Sequence, residues 1–392
     1  MLVRHLSLSD FRNYTTVDVD LVEGPNVFVG SNGQGKTNLV EALGYLSTLG
    51  SHRVSNDQAM IRQGQDSAIV RARLEHGDRQ VLVELQLNRA GANRAQVNRS
   101  VIKTRELPRY FSSVLFAPED LTLVRGEPSG RRKFLDELLV LRSPRMSGVI
   151  ADYDRVLRQR NTLLKSARSV RNPDLSTLDI WDERLVGFGS EIIEARGALV
   201  AELSPEVARA YAAIAGDEHV ASLASFLSIR SIGSGADDSD EPTMEGTAET
   251  PIDAAAAAED FRKSLARLRR AELDRGLTLS GPHRDDLVLT LNDLPARGYA
   301  SHGESWSFAL SLKLAAATVL RRESLVGDPV LVLDDVFAEL DESRRARLAA
   351  AIEGFEQVLI TAAVLDDVPE PLAAHMVLIK AGRIVEEEAA DG

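Results

Sequence analysis

Residues 30–37 read Gly-Ser-Asn-Gly-Gln-Gly-Lys-Thr, between a short apolar run, Val27-Phe28-Val29, and a stretch carrying Leu39, Leu43 and Leu46 at helical spacing. An order of strand, glycine loop and helix leaves few folds open. Glycines let the backbone wrap so that successive N–H groups point at one centre, and the start of the following helix adds positive potential. Both favour an anion. The complete GxxxxGKT pattern makes that anion a nucleotide phosphate. Gly30, Ser31, Asn32, Gly33, Gln34 and Gly35 wrap it, Lys36 reaches the β- and γ-phosphates, the Thr37 hydroxyl ligates Mg²⁺ and Asn38 closes the set. ATP or GTP is the ligand class.

A partner motif stands almost 300 residues on, Pro329-Val330-Leu331-Val332-Leu333-Asp334-Asp335. Four consecutive apolar residues read as a buried strand. Asp334 at its end can hold Mg²⁺ directly or through water, and Asp335 stands where a general base would orient an attacking water. Two acids capping a strand is the plainer alternative for Asp335 taken alone. The catalytic set is thus Lys36, Asp334 and Asp335. The chain has no cysteine, which excludes disulfides, thiol catalysis and iron–sulfur clusters, and its histidines are few. Nucleotide switching is left to carry most of the mechanism.

The chain of 392 residues is long enough for two domains, or one with a large insertion. Residues 2–9 and 15–22 alternate apolar and polar positions, as paired half-buried strands do, and 67–87 and 96–102 extend that sheet. From about 131 to 215, and again over 258–276, the spacing turns helical. The chain then returns to mixed character, with strands at 286–291, 330–333 and 357–361, helices at 305–322 and 342–353, and a final hairpin, MVLIKAGRIVEE. These patterns predict an α/β fold with a head in two pieces, 1–125 and 277–392, and an inserted, mainly helical lobe at 126–276. No apolar run approaches the roughly 20 residues of a membrane span. Asp10 and Arg12 interrupt the place where a signal peptide would be apolar, so a cytoplasmic, non-membrane protein is expected.

The net charge of −13 is unevenly spread. Residues 231–260 hold nine acidic and no basic residues in a Gly-, Ser- and Ala-rich context, the composition of a loosely tethered linker or a regulatory loop. By contrast, 89–109 hold six basic residues and one acidic, and 125–171 hold twelve and five. Such segments are either solvated helix faces or the footprint of a phosphate backbone. On the second reading, Arg89, Arg94, Arg99, Lys103, Arg105, Arg131 and Arg132 are candidate DNA contacts.

Between the two nucleotide motifs lies Ser301-His302-Gly303-Glu304-Ser305 at a helix entry, and after the second lies Glu339-Leu340-Asp341. That order resembles the ABC-type ATPases. The resemblance implies that Ser301, Gly303 and Glu304 act in trans as a signature closing on the partner's nucleotide, and that Asp341 ends the D-loop. About 260 residues separate the loop from the signature, far more than in a transporter cassette, and they lack the long coiled coil of the SMC-type proteins. Asp10-Phe11-Arg12-Asn13-Tyr14, GSNGQGKTNLVEAL, Phe116-Ala117-Pro118-Glu119-Asp120-Leu121, Arg131-Arg132 with Phe134-Leu135-Asp136, Ser280-Gly281-Pro282-His283-Arg284-Asp285-Asp286 and LVLDDVFAELD resemble the RecF family across nearly the whole chain.

This resemblance implies an ABC-type P-loop ATPase head with a second lobe, binding ATP and Mg²⁺ as a homodimer. It further implies binding of double-stranded and gapped DNA, partnership with RecO and RecR in loading RecA, support of replication restart and the SOS response, and association with the nucleoid. A related phage-defence or other DNA-repair ATPase of the ABC type is the alternative. Asp335 replaces the glutamate usual in ABC cassettes, which predicts slow hydrolysis suited to a timer. Thr361 stands where a switch histidine is usual, and Glu304 where glutamine is usual. Glu119 or Asp120 stands where a magnesium-sensing glutamine is usual, or Asp120 caps a helix. His283-Arg284-Asp285-Asp286 is either a site or an internal salt-bridged turn. His52-Arg53 approaches a phosphate, the partner or solvent, and Phe11, Arg12 and Tyr14 pack near the adenine side.

Overall fold

The structure, a computed structural model, describes residues 1–54, 56–168, 175–231, 247–248, 250–324 and 327–385. In chain order it runs β1 (Leu2–Phe11), β2 (Tyr14–Asp20), β3 (Gly24–Val29), α1 (Lys36–Thr48), β4 (Ser67–His76), β5 (Arg79–Asn88), β6 (Arg94–Val97), β7 (Ser100–Ile102) and β8 (Ser113–Phe116). Helices α2 (Leu121–Arg125), α3 (Pro128–Arg142), α4 (Met146–Arg168) and α5 (Leu178–Ala215) follow. Next come β9 (Ala221–Phe226), β10 (Thr247–Ala248), α6 (Ala254–Arg275), β11 (Asp286–Leu291), β12 (Leu294–Pro295), α7 (Ala296–Tyr299) and α8 (His302–Glu323). The chain ends with β13 (Val330–Asp334), α9 (Glu342–Ile352), β14 (Gln357–Ala362), β15 (Met376–Lys380) and β16 (Arg383–Val385).

Two compact units result. The first comprises Met1–Leu121, Arg209–His219 and Ser301–Gly392. One of its six-stranded sheets has the order β16-β15-β3-β14-β13-β8. Its inner strands are parallel and mostly apolar because both of their faces are covered: every residue of β13 and of β14 is buried. The second sheet, β2-β1-β4-β5-β6-β7, is antiparallel with alternating burial, so Leu6, Leu8, Val70, Ala72, Leu74, Val83 and Leu85 point inward. They share one apolar cluster with Leu39, Leu43 and Leu46 of α1.

The second unit comprises Thr122–Ala208 and Val220–Ala300. Besides α3, α4 and α6 it contains a four-stranded sheet, β10-β9-β11-β12. This division differs from the 126–276 insert expected from the sequence. Strand β11 pairs with β9 over six positions, Asp286↔Phe226 to Leu291↔Ala221, and so keeps the chain in the second unit as far as Ala300. Periodicity cannot reveal a pairing between strands about 60 residues apart. The expected acidic linker is also shorter, because Asp253 accepts a hydrogen bond from the Ala256 N–H (2.7 Å) and starts α6 at Ala254. Most of the linker, 232–246, lies outside the described residues.

Candidate nucleotide site

Parallel pairing brings three strand ends together. Asp334 stands opposite Thr361, and Ala362 opposite Val29, so the loop after β3 opens beside the acids that end β13. The loop's shape depends on glycine. Gly33 and Gly35 have φ of +80° and +119°, and a Cβ on Gly35 would lie 2.7 Å from the Tyr14 hydroxyl. A Cβ on Gly30 would run into the Ile379 carbonyl.

The loop is clamped from two sides. From the β1–β2 turn, Tyr14 donates its hydroxyl to the Gly35 carbonyl (3.1 Å) and Asn13 donates to the Gln34 carbonyl (3.1 Å). From the β15–β16 turn, Gly382 N–H reaches the same Gln34 carbonyl (3.0 Å) and Ala381 N–H reaches the Gln34 side chain. Burial pushes the Tyr14 hydroxyl far above its usual range, so it stays protonated and donating. Asn13 and Tyr14 therefore position the loop. Arg12 holds Glu41 of α1 (Nε–Oε2, 2.8 Å). Arg53 lies 3.6 Å from that carboxylate and donates to Asn38 (2.9 Å). Burial pushes Glu41 up, but Arg12 and Ser51 more than offset it and hold the acid below its ordinary value.

Lys36 is 3% exposed, and its ammonium donates to the Gly30 carbonyl (2.7 Å) and lies 3.9 Å from Asp335. Thr37 Oγ1 donates to Asp334 Oδ1 (3.1 Å). Thr361 completes the arrangement: its hydroxyl donates to the same oxygen (2.6 Å) and accepts the Asp335 N–H (2.9 Å). Asp335 sits at φ +51°, a left-handed conformation that costs a non-glycine residue on the order of 1 kcal/mol or more. Burial, with Asp335 beside it, pushes Asp334 up to about 6 despite the two hydroxyl donors.

A magnesium nucleotide fits these groups. Thr37 and Asp334 converge on one point, and a buried acid next to a second acid is a charge pattern that a divalent cation completes. Among the described residues no three His, Cys, Asp or Glu side chains form a metal cluster, consistent with an ion that takes its remaining ligands from phosphate and water.

Within the first unit, Ser301 caps α8. Its Oγ accepts the Glu304 N–H (3.3 Å), while Glu304 Oε2 accepts the Ser301 N–H (2.6 Å). These bonds to Ser301, with His219 and Arg344 nearby, hold the Glu304 carboxyl below its ordinary value. Glu304 is thereby turned back on its own helix. Asp341 caps α9, accepting the Arg344 N–H (2.9 Å). Asp120 accepts the Ala117 N–H (2.9 Å) and pairs with Lys313 (2.9 Å), which is a capping role.

The basic candidates divide sharply. Arg131 is 4% exposed and grips Asp286 through two 2.7 Å hydrogen bonds, so it has no guanidinium face to offer a phosphate and leaves the DNA set. Arg132 is half-buried and donates to the Asp285 carbonyl (2.8 Å). Asp285 accepts from the Ser228 N–H and hydroxyl (both 2.8 Å), and His283 Nδ1 meets the Tyr153 hydroxyl (2.6 Å), so this segment is an internal salt-bridged turn. In the antiparallel sheet of the first unit, Arg4 pairs with Glu75 and Arg71 with Glu84, and ahead of β4 Arg62 pairs with Asp10. Arg94, Arg99, Lys103 and Arg105 are exposed and have no ion pair among the described residues. Arg89, also exposed, donates to the Gln65 carbonyl (2.8 Å).

Residues 2–370 match the family described as RecF/RecN/SMC N terminal domain. The DNA replication and repair protein RecF of Clavibacter sepedonicus is 65% identical, over 98% of this chain and 95% of its own. The chain belongs to the RecF family. The RecF of Leifsonia xyli subsp. xyli is 62% identical over 98% of this chain and all of its own. A solved structure of the recombination mediator protein RecF-ATPrS in the RecFOR pathway superposes with a TM-score of 0.85 at 27% identity, covering 98% of this chain and 97% of that one. A RecF-ATP structure gives 0.82. An SMC head, at 15% identity and a TM-score of 0.56, shares the fold. The α/β, ABC-type head expected from the sequence is therefore correct, and RecF membership carries a general role in DNA replication and repair with ATP binding.

Proposed function

We propose that this RecF-family chain is an ATP-dependent, dimerising DNA-binding protein of recombinational repair and replication restart, and a slow ATPase. The observation that carries this reading is the convergence of Thr37 and Thr361 on Asp334, beside a loop that only glycines can form. In it, loop N–H groups and Lys36 hold the triphosphate of ATP, while Thr37 and Asp334 hold Mg²⁺. Bound magnesium supplies charge neutralisation for the phosphates. Lys36 leaves the Gly30 carbonyl to reach the phosphates, and Asp335 orients the attacking water and draws its proton. An aspartate reaches less far than a glutamate, and Thr361 tethers the Asp335 backbone, which supports turnover slow enough to time a bound state; DNA would stimulate it.

In a head-to-head dimer, Ser301 and Gly303 of one protomer would close on the nucleotide of the other. Ser301 at a helix start offers its hydroxyl, and the helix start its positive potential, for that contact. Arg89, Arg94, Arg99, Lys103 and Arg105 would then contact the backbone of double-stranded DNA near single-strand gaps, with Arg132 secondary. Such contacts are salt-dependent and largely independent of sequence. With RecO and RecR the dimer would help RecA to load. The reading is tested with Lys36→Ala: ATP-dependent retention of a gapped duplex should vanish, and retention equal to wild type would refute it.

A further inference from the structure

Glu304 places a carboxylate in the segment proposed to meet a partner's triphosphate, where an uncompensated negative charge would be repelled. The surroundings of that carboxylate show how it is compensated. Its Oε1 lies 3.4 Å from His219 Nε2, and Oε2 is occupied by the Ser301 N–H. The permanent cation acting on it is Arg344. The Arg344 guanidinium packs directly on Gly303, where an added Cβ would lie 2.6 Å from Nη1. At its other end Arg344 is tied to Asp341: its N–H caps onto that side chain (2.9 Å), and Nε lies 3.6 Å from Oδ2. The next residue, Arg345, donates to the Leu340 carbonyl (2.9 Å) and pairs with Asp367 (2.8 Å). Beneath them the fully buried Tyr211 packs on Phe308 of α8 (5.9 Å) and leaves its hydroxyl without a partner among the described residues. One side chain thus spans from the end of the D-loop to the glycine of the signature, and nothing in the sequence motifs assigns it a task.

We propose that Arg344 is a positioning residue: it neutralises Glu304 and fastens the loop ending at Asp341 to the Ser301–Glu304 helix start, so that this end of α8 tolerates a triphosphate. Gly303 is small here because Arg344 occupies the space of a side chain. The inference rests on the trans-signature reading above and adds to it an intramolecular device. Loss of the cation leaves the capping acid at this helix start with only His219 beside it, whereas removing the acid as well abolishes the need for compensation.

The test is ATP-driven dimerisation by sedimentation equilibrium, for wild type, Arg344→Gln, Glu304→Gln and the double variant, with ATP affinity of the monomer measured separately. Arg344→Gln keeps a polar side chain but removes the charge and the guanidinium that reaches Gly303, so the double variant is what separates the charge from the packing. The single variant should weaken the dimer about two- to fivefold, the effect of one partly exposed charge, with monomer affinity for ATP unchanged. Adding Glu304→Gln should restore most of the loss. An Arg344→Gln dimer as tight as wild type overturns the proposal, and so does a weakened dimer that Glu304→Gln fails to rescue, because a purely structural role would give that result. Wild type that does not dimerise with ATP removes the underlying reading and this proposal with it, an outcome distinct from the other two.

Discussion

Replacing Thr361 by valine keeps the shape of the side chain and deletes one hydroxyl, which isolates what that hydroxyl does for the acids. It donates to Asp334 at 2.6 Å and accepts from the Asp335 N–H at 2.9 Å. A hydrogen bond to a charged group contributes about 1.5–3 kcal/mol, and about 1.4 kcal/mol corresponds to one pKa unit. The loss should therefore raise Asp334 by about one to two units from its position near 6. Only the ionised carboxylate binds a cation, so protons compete with magnesium below the Asp334 pKa and the competition fades above it. At pH 7 roughly nine in ten wild-type molecules have Asp334 ionised, against about half or fewer of the valine variant. Magnesium-dependent ATP binding, measured by calorimetry from about pH 5.5 to about pH 8.5, should show its midpoint displaced upward by about one unit or more in Thr361→Val. The two curves should approach each other at the alkaline end, and Thr361→Ser should follow wild type. Superimposable curves for valine and wild type would refute the reasoning, because Thr361 would then not support Asp334.

Arg131→Met should cost about 3–5 kcal/mol in urea unfolding, since it strands the buried Asp286 carboxylate, while leaving the salt dependence of DNA binding unchanged; a stable variant with weakened DNA binding would return Arg131 to the interface. The triple variant Arg99→Ala, Lys103→Ala, Arg105→Ala should fold normally and lower the slope of log affinity against log salt by about two to three, as loss of three phosphate contacts requires; an unchanged slope would exclude these side chains. His283 is pushed down to about 3 by burial, so the folded chain stays unprotonated where the unfolded chain takes up a proton below about 6.5. Stability contributed by the neutral ring is therefore complete above about pH 6.5 and declines as pH falls, by about 2 kcal/mol at about pH 5. Unfolding of His283→Asn should lack that part of the acid sensitivity, and an identical pH dependence would count against it.

What the sequence made legible was local. The loop, the apolar run of β13 and the helical spacing of α1 each lie within about 15 residues, and each appears as expected. The Ser301-x-x-Glu304 pattern at the start of α8 could also be read, as a capping box. What escaped was long-range pairing. Arg131 looked like any other basic residue because its partner, Asp286, lies 155 positions away. Thr361 was visible only as a missing histidine, because its contact with Asp334 comes from the register of β13 and β14. Asn13 lies in a motif that gives no hint of its task, Arg344 lies in none, and only the folded turns bring them to the loop and to Gly303. The edge of the second unit was misplaced for the same reason, since the β9–β11 ladder joins segments separated by the whole of α6.

The most direct test of the central claim is sedimentation velocity of wild type and Ser301→Arg, each with and without ATP and a short duplex. The account predicts a wild-type dimer only when ATP is present, and a Ser301→Arg chain that binds ATP with ordinary affinity yet stays monomeric. If wild type remains monomeric with ATP and DNA, or if Ser301→Arg dimerises as readily as wild type, the signature does not act across two protomers and the nucleotide acts within one chain.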